Sequence, residues 1–311
     1  MALAIDDMAA TVSVIEDEVV RISGPQPDLF EFDSVDEFAL FVDRYGYGSG
    51  EQLLAATLRT FLDLARSQRW ELPRGIDISF NTRIPRGVGL AGSSALVISL
   101  LRCLLDVCGQ RLDQHLLPAL ALSVEVDQLG ITAGLQDRVV QTYGGLVAMD
   151  FGSMTTDART GLVWGSYEAL DPESLPQLFV AYSATAAEPS SVYHQVLRSK
   201  FAAGDPVTVA GLHELAGLVA RGKAALRWGG EGLGSLMTRS MEIRASLAPV
   251  SDAQLGLIED AQECGLAATF AGSGGAIVGV FDSESDLERL THRLDDPDAI
   301  VREVRPFAYS R

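Results

Sequence analysis

Positive charge is scarce in this 311-residue chain: 24 Lys and Arg stand against 42 Asp and Glu, a net charge of −18 at pH 7. A protein that follows a nucleic-acid backbone clusters Lys and Arg along it, so this balance argues against an extended polyanion surface. A small anionic ligand held by a few local donors remains compatible with it. Cysteine is scarce too. Cys103, Cys108 and Cys264 are an odd number without metal-ligand spacing, and they match neither a metal cage nor a disulfide framework. Cys103 and Cys108 fall in or near a predicted helix and read as small core residues, which fits a reducing cytoplasm. No apolar run reaches the roughly 18 residues of a membrane helix, and no charged-then-apolar leader opens the chain. Repeats, low-complexity tracts and long linkers are also missing.

What is present is enough apolar material for real cores: 47% of residues are hydrophobic and 21% charged. The length suits two ordinary domains or one large one. A break is expected at "DPESLP" near Asp171, dividing the chain into 1–170 and 171–311. Alternation around Thr11 to Ile22 predicts two short strands, and "DLFEF" a third. "SVDEFALFVDRYG" reads as a helix with Ser34 as N-cap and Glu37 completing a capping box. "GEQLLAATLRTFLDLARSQRW" has the spacing of an amphipathic helix, and "GIDISFNTRIP" reads as a strand stopped by Pro85. A helix is predicted from Ser94 to about Val107, and another over "LPALALSVEVDQLG". Strands follow at Gly145 to Gly152, in "GLVWGSYEAL" and at Leu178 to Ala184. The C-terminal part alternates helices and strands in an α+β order.

Three loops carry candidate chemistry. In "RIPRGVGLAGSSALVISLL", Gly87, Gly89 and Gly92 give the backbone access to positive φ immediately before a helix. The unpaired N–H groups of that helix end and its dipole favour an anion, and Ser93 and Ser94 add hydroxyls. No Gly-Lys-Ser/Thr follows, so this is not a Walker A loop, and by itself it is equally readable as a connecting turn. In "AGLQDRVVQTYGG", Asp137 heads an apolar stretch, where a carboxylate can accept a hydroxyl proton or simply favour a helix N-terminus. Arg138 can pair with it or meet an acidic ligand. Glu125, on the preceding helix, can face a metal or solvent. The third loop, "FAGSGGAIVGV", holds Gly272, Ser273, Gly274 and Gly275, and reads as a second anion loop or as a tight hairpin.

Taken together and in this order, the loops resemble the GHMP kinase superfamily. Its motif P-x3-G-L-x-S/G-S-S-A stands here from Pro85 to Ala95, and its C-terminal glycine motif as "TFAGSGGAIVGV". Within the superfamily the chain is most similar to the glucuronokinase branch, through Ile84 to Ala95, Leu129 to Phe151 and Ala267 to Ala276. The resemblance implies a two-domain α+β fold: an N-terminal domain like the second domain of ribosomal protein S5 over 1–170, and a ferredoxin-like domain over 171–311. It implies ATP and Mg²⁺ as cofactors. Pro85, Gly87, Gly89, Leu90, Ala91, Gly92, Ser93, Ser94 and Ala95 would wrap the triphosphate, with Ser94 and Glu125 as metal ligands. Asp137 would contact the phosphoryl-accepting hydroxyl, with Arg138, Gly272, Ser273 and Gly274 at the substrate.

The implied activity is a cytoplasmic sugar kinase acting on the anomeric hydroxyl of a hexuronate, D-glucuronate, with no nucleic-acid or membrane partner. Another sugar, a heptose phosphate, or a non-catalytic nucleotide-binding relative are the alternatives. The family's usual opening "RxxLxGxxxD" has no counterpart before "MALAIDDMAATVSV", so the chain is expected to start on the following strand, short of that part of the acceptor pocket.

Overall fold

A computed structural model describes residues 1–24, 29–47, 51–183, 191–272, 274–294 and 296–307. Ser273 lies outside the described residues. The N-terminal half holds strands β1 (Ala2–Leu3), β2 (Ala10–Asp17), β3 (Val20–Ser23) and β4 (Leu29–Phe32), then helices α1 (Val35–Tyr45) and α2 (Gln52–Gln68). It continues with β5 (Gly75–Thr82), α3 (Gly92–Val107), α4 (Leu117–Ser123), α5 (Leu135–Tyr143), β6 (Leu146–Thr156) and β7 (Val163–Leu170). One four-stranded sheet runs β2-β5-β3-β4 and a three-stranded one β1-β6-β7. Among the described residues only β3 and β5 pair in parallel, and every other pairing between strands is antiparallel.

Alternation in the strands decides which face is covered. Ile76 and Ile78 of β5 and Val20 and Ile22 of β3 are buried, and they meet Leu54, Leu58, Phe61, Ile98 and Leu101 from α2 and α3 in the largest core. Ser34 caps α1 by accepting from the Glu37 amide at 3.1 Å. The reciprocal half of the expected capping box is absent: Glu37 accepts from the Asp33 amide instead, at 2.6 Å. The helix expected over "LPALALSVEVDQLG" ends at Ser123 and widens into a π-helical turn, Val124–Gln128. Such turns often sit at functional sites, and this one carries Glu125.

The C-terminal half holds β8 (Leu178–Ser183), α6 (Ser191–Ala202), α7 (Pro206–Leu226), α8 (Leu233–Leu247) and α9 (Asp252–Glu263). It closes with β9 (Ala268–Phe270), β10 (Ile277–Val280), α10 (Glu284–Arg293) and β11 (Ala299–Val304). Their sheet runs β11-β8-β10-β9 with every pair antiparallel. That is the fourth, first, third and second strand of this half, the ferredoxin-like order, with the first crossover enlarged to four helices. α6 is an addition to the sequence reading, because its polar composition hides the helical period. No described helix is long and apolar enough to cross a membrane.

A smaller core joins the two halves. Met8, Ile84, Val88 and Ala95 pack there with Val180, Tyr182 and Ala276. The chain end also returns to its beginning: the Phe307 amide donates to Ala4 O at 2.8 Å and the Asp6 amide to Arg305 O at 2.8 Å.

Candidate active site

β5 delivers the chain at Thr82 into the first glycine loop, and α3 takes it up at Gly92. Gly87 and Gly89 adopt φ of 75° and 78°, as their position in the motif predicts. Gly92 does not. The third left-handed residue is Ala91, at φ 57°, while Gly92 is small because a Cβ there would press on Ile84 at 3.2 Å. Ala91 caps α3 and provides no side-chain acceptor. The first-turn N–H groups of a 16-residue helix therefore have no local partner, and the dipole adds positive potential at the same place. Ser93 is exposed, whereas Ser94 is fully buried and its Oγ has no hydrogen-bond partner among the described residues.

The second glycine loop closes the β9–β10 hairpin and packs on the first, backbone against backbone. A Cβ on Gly274 would stand 2.7 Å from the Gly89 nitrogen, and one on Gly89 would stand 2.7 Å from the Gly274 nitrogen. Gly272 meets the Gly89 carbonyl oxygen just as closely, and the Ala276 amide donates to Val88 O at 2.9 Å. The hairpin and anion-loop readings are thus compatible: the segment is a hairpin whose tip is one wall of the first loop.

Two side chains brace that tip from behind. Arg244 on α8 donates to Phe270 O at 2.7 Å and also to Gly272 O, with its guanidinium 5.3 Å from the Phe270 ring and 5.8 Å from Tyr193. Gln254 on α9 is buried and donates to Gly274 O at 2.5 Å and Ala276 O at 3.0 Å. Neither was legible in the sequence. A lone Arg or Gln in a helix carries no local sign that its partners are loop carbonyls distant in the chain.

Glu125, Asp137 and Arg138 meet at the head of α5, which is capped by Gly134. Arg138 is buried, donates to Gly134 O at 2.9 Å and pairs through its other terminal nitrogen with the Glu125 carboxylate. Asp137 stands farther off, 3.7 Å from the same guanidinium. So Arg138 pairs first with Glu125, and Glu125 does not lie on a solvated face: only 4% of it is exposed. Burial lowers Arg138 to about 10, still charged at neutral pH. The Asp137 side chain stays 45% open, yet the protein crowded around it strips enough hydration to push its carboxyl up to about 6. α3 lies directly beside α5, where Arg102 donates to Thr142 O at 2.5 Å.

The donor set suits magnesium. Ser94 Oγ is an orphaned buried hydroxyl and Glu125 a buried carboxylate, both hard oxygen donors. Among the described residues no group of three or more His, Cys, Asp or Glu could cage a metal without help.

Comparison with known proteins bears on the family and the fold. The family described as GHMP kinases N terminal domain matches residues 52–145, and GHMP kinases C terminal matches residues 224–299. The chain is 37% identical over 293 residues to probable glucuronokinase 2 of Arabidopsis thaliana, covering 90% of this chain and 78% of that one. It is 35% identical over 292 residues to glucuronokinase 1 of the same plant, covering 89% and 78%. The Lactococcus lactis galactokinase, solved with galactose, superposes with a TM-score of 0.71 at 16% identity, covering 97% of this chain and 86% of that one. With both halves matched, the two-domain fold shared and the glycine loops interlocked, this chain belongs to the GHMP kinase family, the phosphotransferases that act on an alcohol group.

Proposed function

We propose that this kinase transfers the γ-phosphoryl group of ATP to the anomeric hydroxyl of a hexuronate, D-glucuronate, yielding glucuronate 1-phosphate and ADP. The observation that carries the acceptor is the 37% identity to a probable glucuronokinase over nine-tenths of the chain. The geometry of the site supports the chemistry. The first loop, with Pro85, Gly87, Gly89, Leu90, Ala91, Gly92, Ser93, Ser94 and Ala95, cradles the triphosphate on backbone N–H groups and the start of α3. Gly272 and Gly274 hold that cradle from the other side and border the acceptor.

Ser94 and Glu125 are the magnesium ligands of this reading; when bound, the ion offsets charge on the phosphate oxygens. Arg138, paired with Glu125, would hold that carboxylate in place for the ion. Asp137 takes the acceptor's hydroxyl proton as the new O–P bond forms and the bond from the γ-phosphorus to the bridging oxygen of ADP breaks. Arg138 sits behind it, paired with Glu125. Two functional units, 1–170 and 171–311, meet at this cleft. The enzyme works in the cytoplasm on a small sugar acid, without nucleic-acid or membrane partners.

The direct test is ADP release with D-glucuronate, galactose, mevalonate and a heptose phosphate in parallel. Turnover of glucuronate ahead of the others is the expected result. ATP binding with preference for another acceptor, or with no turnover of any, overturns the proposal.

A further inference from the structure

α6 carries two groups that the catalytic reading leaves unused, and through Arg198 it is tied to the segment before α5. Its His194 lies in the field of three guanidinium groups from three elements: Arg198 of α6 itself, Arg244 of α8 and Arg138 of α5. In a chain of net charge −18, such a gathering is unusual. Its internal compensation is small. Among the described residues, Glu125 and the more distant Asp137 pair with Arg138, while neither Arg198 nor Arg244 has a carboxylate partner. Arg244 is occupied with the carbonyls of Phe270 and Gly272. Arg198 makes a single hydrogen bond, through one terminal nitrogen to Ala133 O at 2.6 Å, and its side chain is exposed. His194 is half-buried and makes no hydrogen bond to the described residues.

The bond from Arg198 to Ala133 decides which anion this group serves. Ala133 precedes Gly134, the cap of α5, and the first turn of α5 carries Asp137. Arg198 is therefore anchored to the backbone that presents the acceptor carboxylate, and not to the start of α3, where the phosphates are held.

We propose that Arg198 and His194 form the subsite for the carboxylate of the sugar-acid acceptor, a specificity determinant that rests on the hexuronate reading above. The exposed guanidinium donates a charge-assisted pair of N–H bonds to the carboxylate, in the planar arrangement arginine favours. His194 adds an N–H donor, and burial together with the three arginines lowers its pKa, so that it serves as a neutral imidazole. The surrounding positive field selects an acid over a neutral sugar of the same shape.

The test compares D-glucuronate with D-glucuronamide, which keeps the sugar and removes the charge, in wild type, R198Q, R198K and H194L. The wild type is expected to prefer the acid, and R198Q to lose roughly 10- to 100-fold of that preference in kcat/KM, the scale of a hydrogen bond to a charged group. The loss is expected in KM, with R198K recovering part of it and H194L showing a smaller fall. Unfolding curves confirm that each variant folds. An unchanged acid-to-amide ratio in R198Q, with glucuronate still the wild-type substrate, overturns the subsite and leaves the kinase reading standing. A rise in the KM for ATP at a constant ratio assigns Arg198 to the phosphates and also overturns it. A wild type that does not prefer the acid overturns the hexuronate reading on which the subsite rests.

Discussion

Asp137 and Arg138 are neighbours in sequence with opposite burdens. The carboxyl of Asp137, pushed up to about 6, is protonated below that pH and ionised above it. As proton acceptor it is needed ionised, so kcat/KM for the acceptor is expected to rise with pH through about 6 and then level off. For folding the same shift has the reverse sign. The native state binds the proton more tightly than the unfolded chain, so this stabilising contribution is complete at low pH and is lost as pH rises through about 6. D137N should remove the acidic limb of the rate profile and lower kcat about 10²- to 10⁴-fold while sparing ATP binding, as measured by pH-resolved kinetics and nucleotide titration. An unchanged kcat would show that Asp137 is not the acceptor's partner. Arg138 answers to a different test. Truncation in R138M strands the buried Glu125 charge, a loss of about 3–5 kcal/mol by urea unfolding. The double variant E125Q/R138M should recover part of it, because it leaves no unpaired charge behind.

At the scale of elements, the two glycine loops form one device because each occupies the space a side chain would need on the other. Gly274 is not in the left-handed region, so its requirement is steric: G274A would push a methyl into the Gly89 backbone. The expected cost is about 1–3 kcal/mol of stability, with a raised KM for ATP as the first loop shifts. A G274A enzyme with wild-type melting temperature and ATP KM would mean that the loops separate freely. The element scale also shows where sequence pattern succeeds and fails. The glycine loops and the start of the helix after the first were legible because backbone freedom and apolar spacing lie in short contiguous motifs. Arg244 and Gln254 were not, since a helix pattern reports which face is apolar and not which distant carbonyl a polar tip will reach. The left-handed residue Ala91 was equally hidden, because local propensity assigns that role to Gly92.

For the whole molecule, 42 acidic groups on one chain repel one another, and the repulsion is screened within about 10 Å at 0.1 M salt. The melting temperature is therefore expected to rise as NaCl goes from about 0.01 M to 0.1 M, by calorimetry at fixed pH. A fall would indicate that ion pairs such as Arg59 with Asp43 and Asp63, which salt weakens, outweigh the general repulsion. The same negative field makes the cationic group around His194 stand out, since a long-range potential of one sign must be overcome locally wherever an anionic substrate is to bind.

By itself the sequence determined the class of fold, through its strand and helix periods, and the class of chemistry, through two glycine motifs and an aspartate in a family order. Those are local properties: backbone freedom, hydroxyl placement and apolar spacing are written in adjacent residues. The tertiary structure alone decided the partners. It paired Glu125 with Arg138, set Gly89 against Gly274, braced the second loop with Arg244 and Gln254, and tied α6 to the segment before α5. Contacts of this kind depend on how elements far apart in the chain are packed, and burial then converts them into shifted charges and fixed geometry that no short stretch of sequence contains.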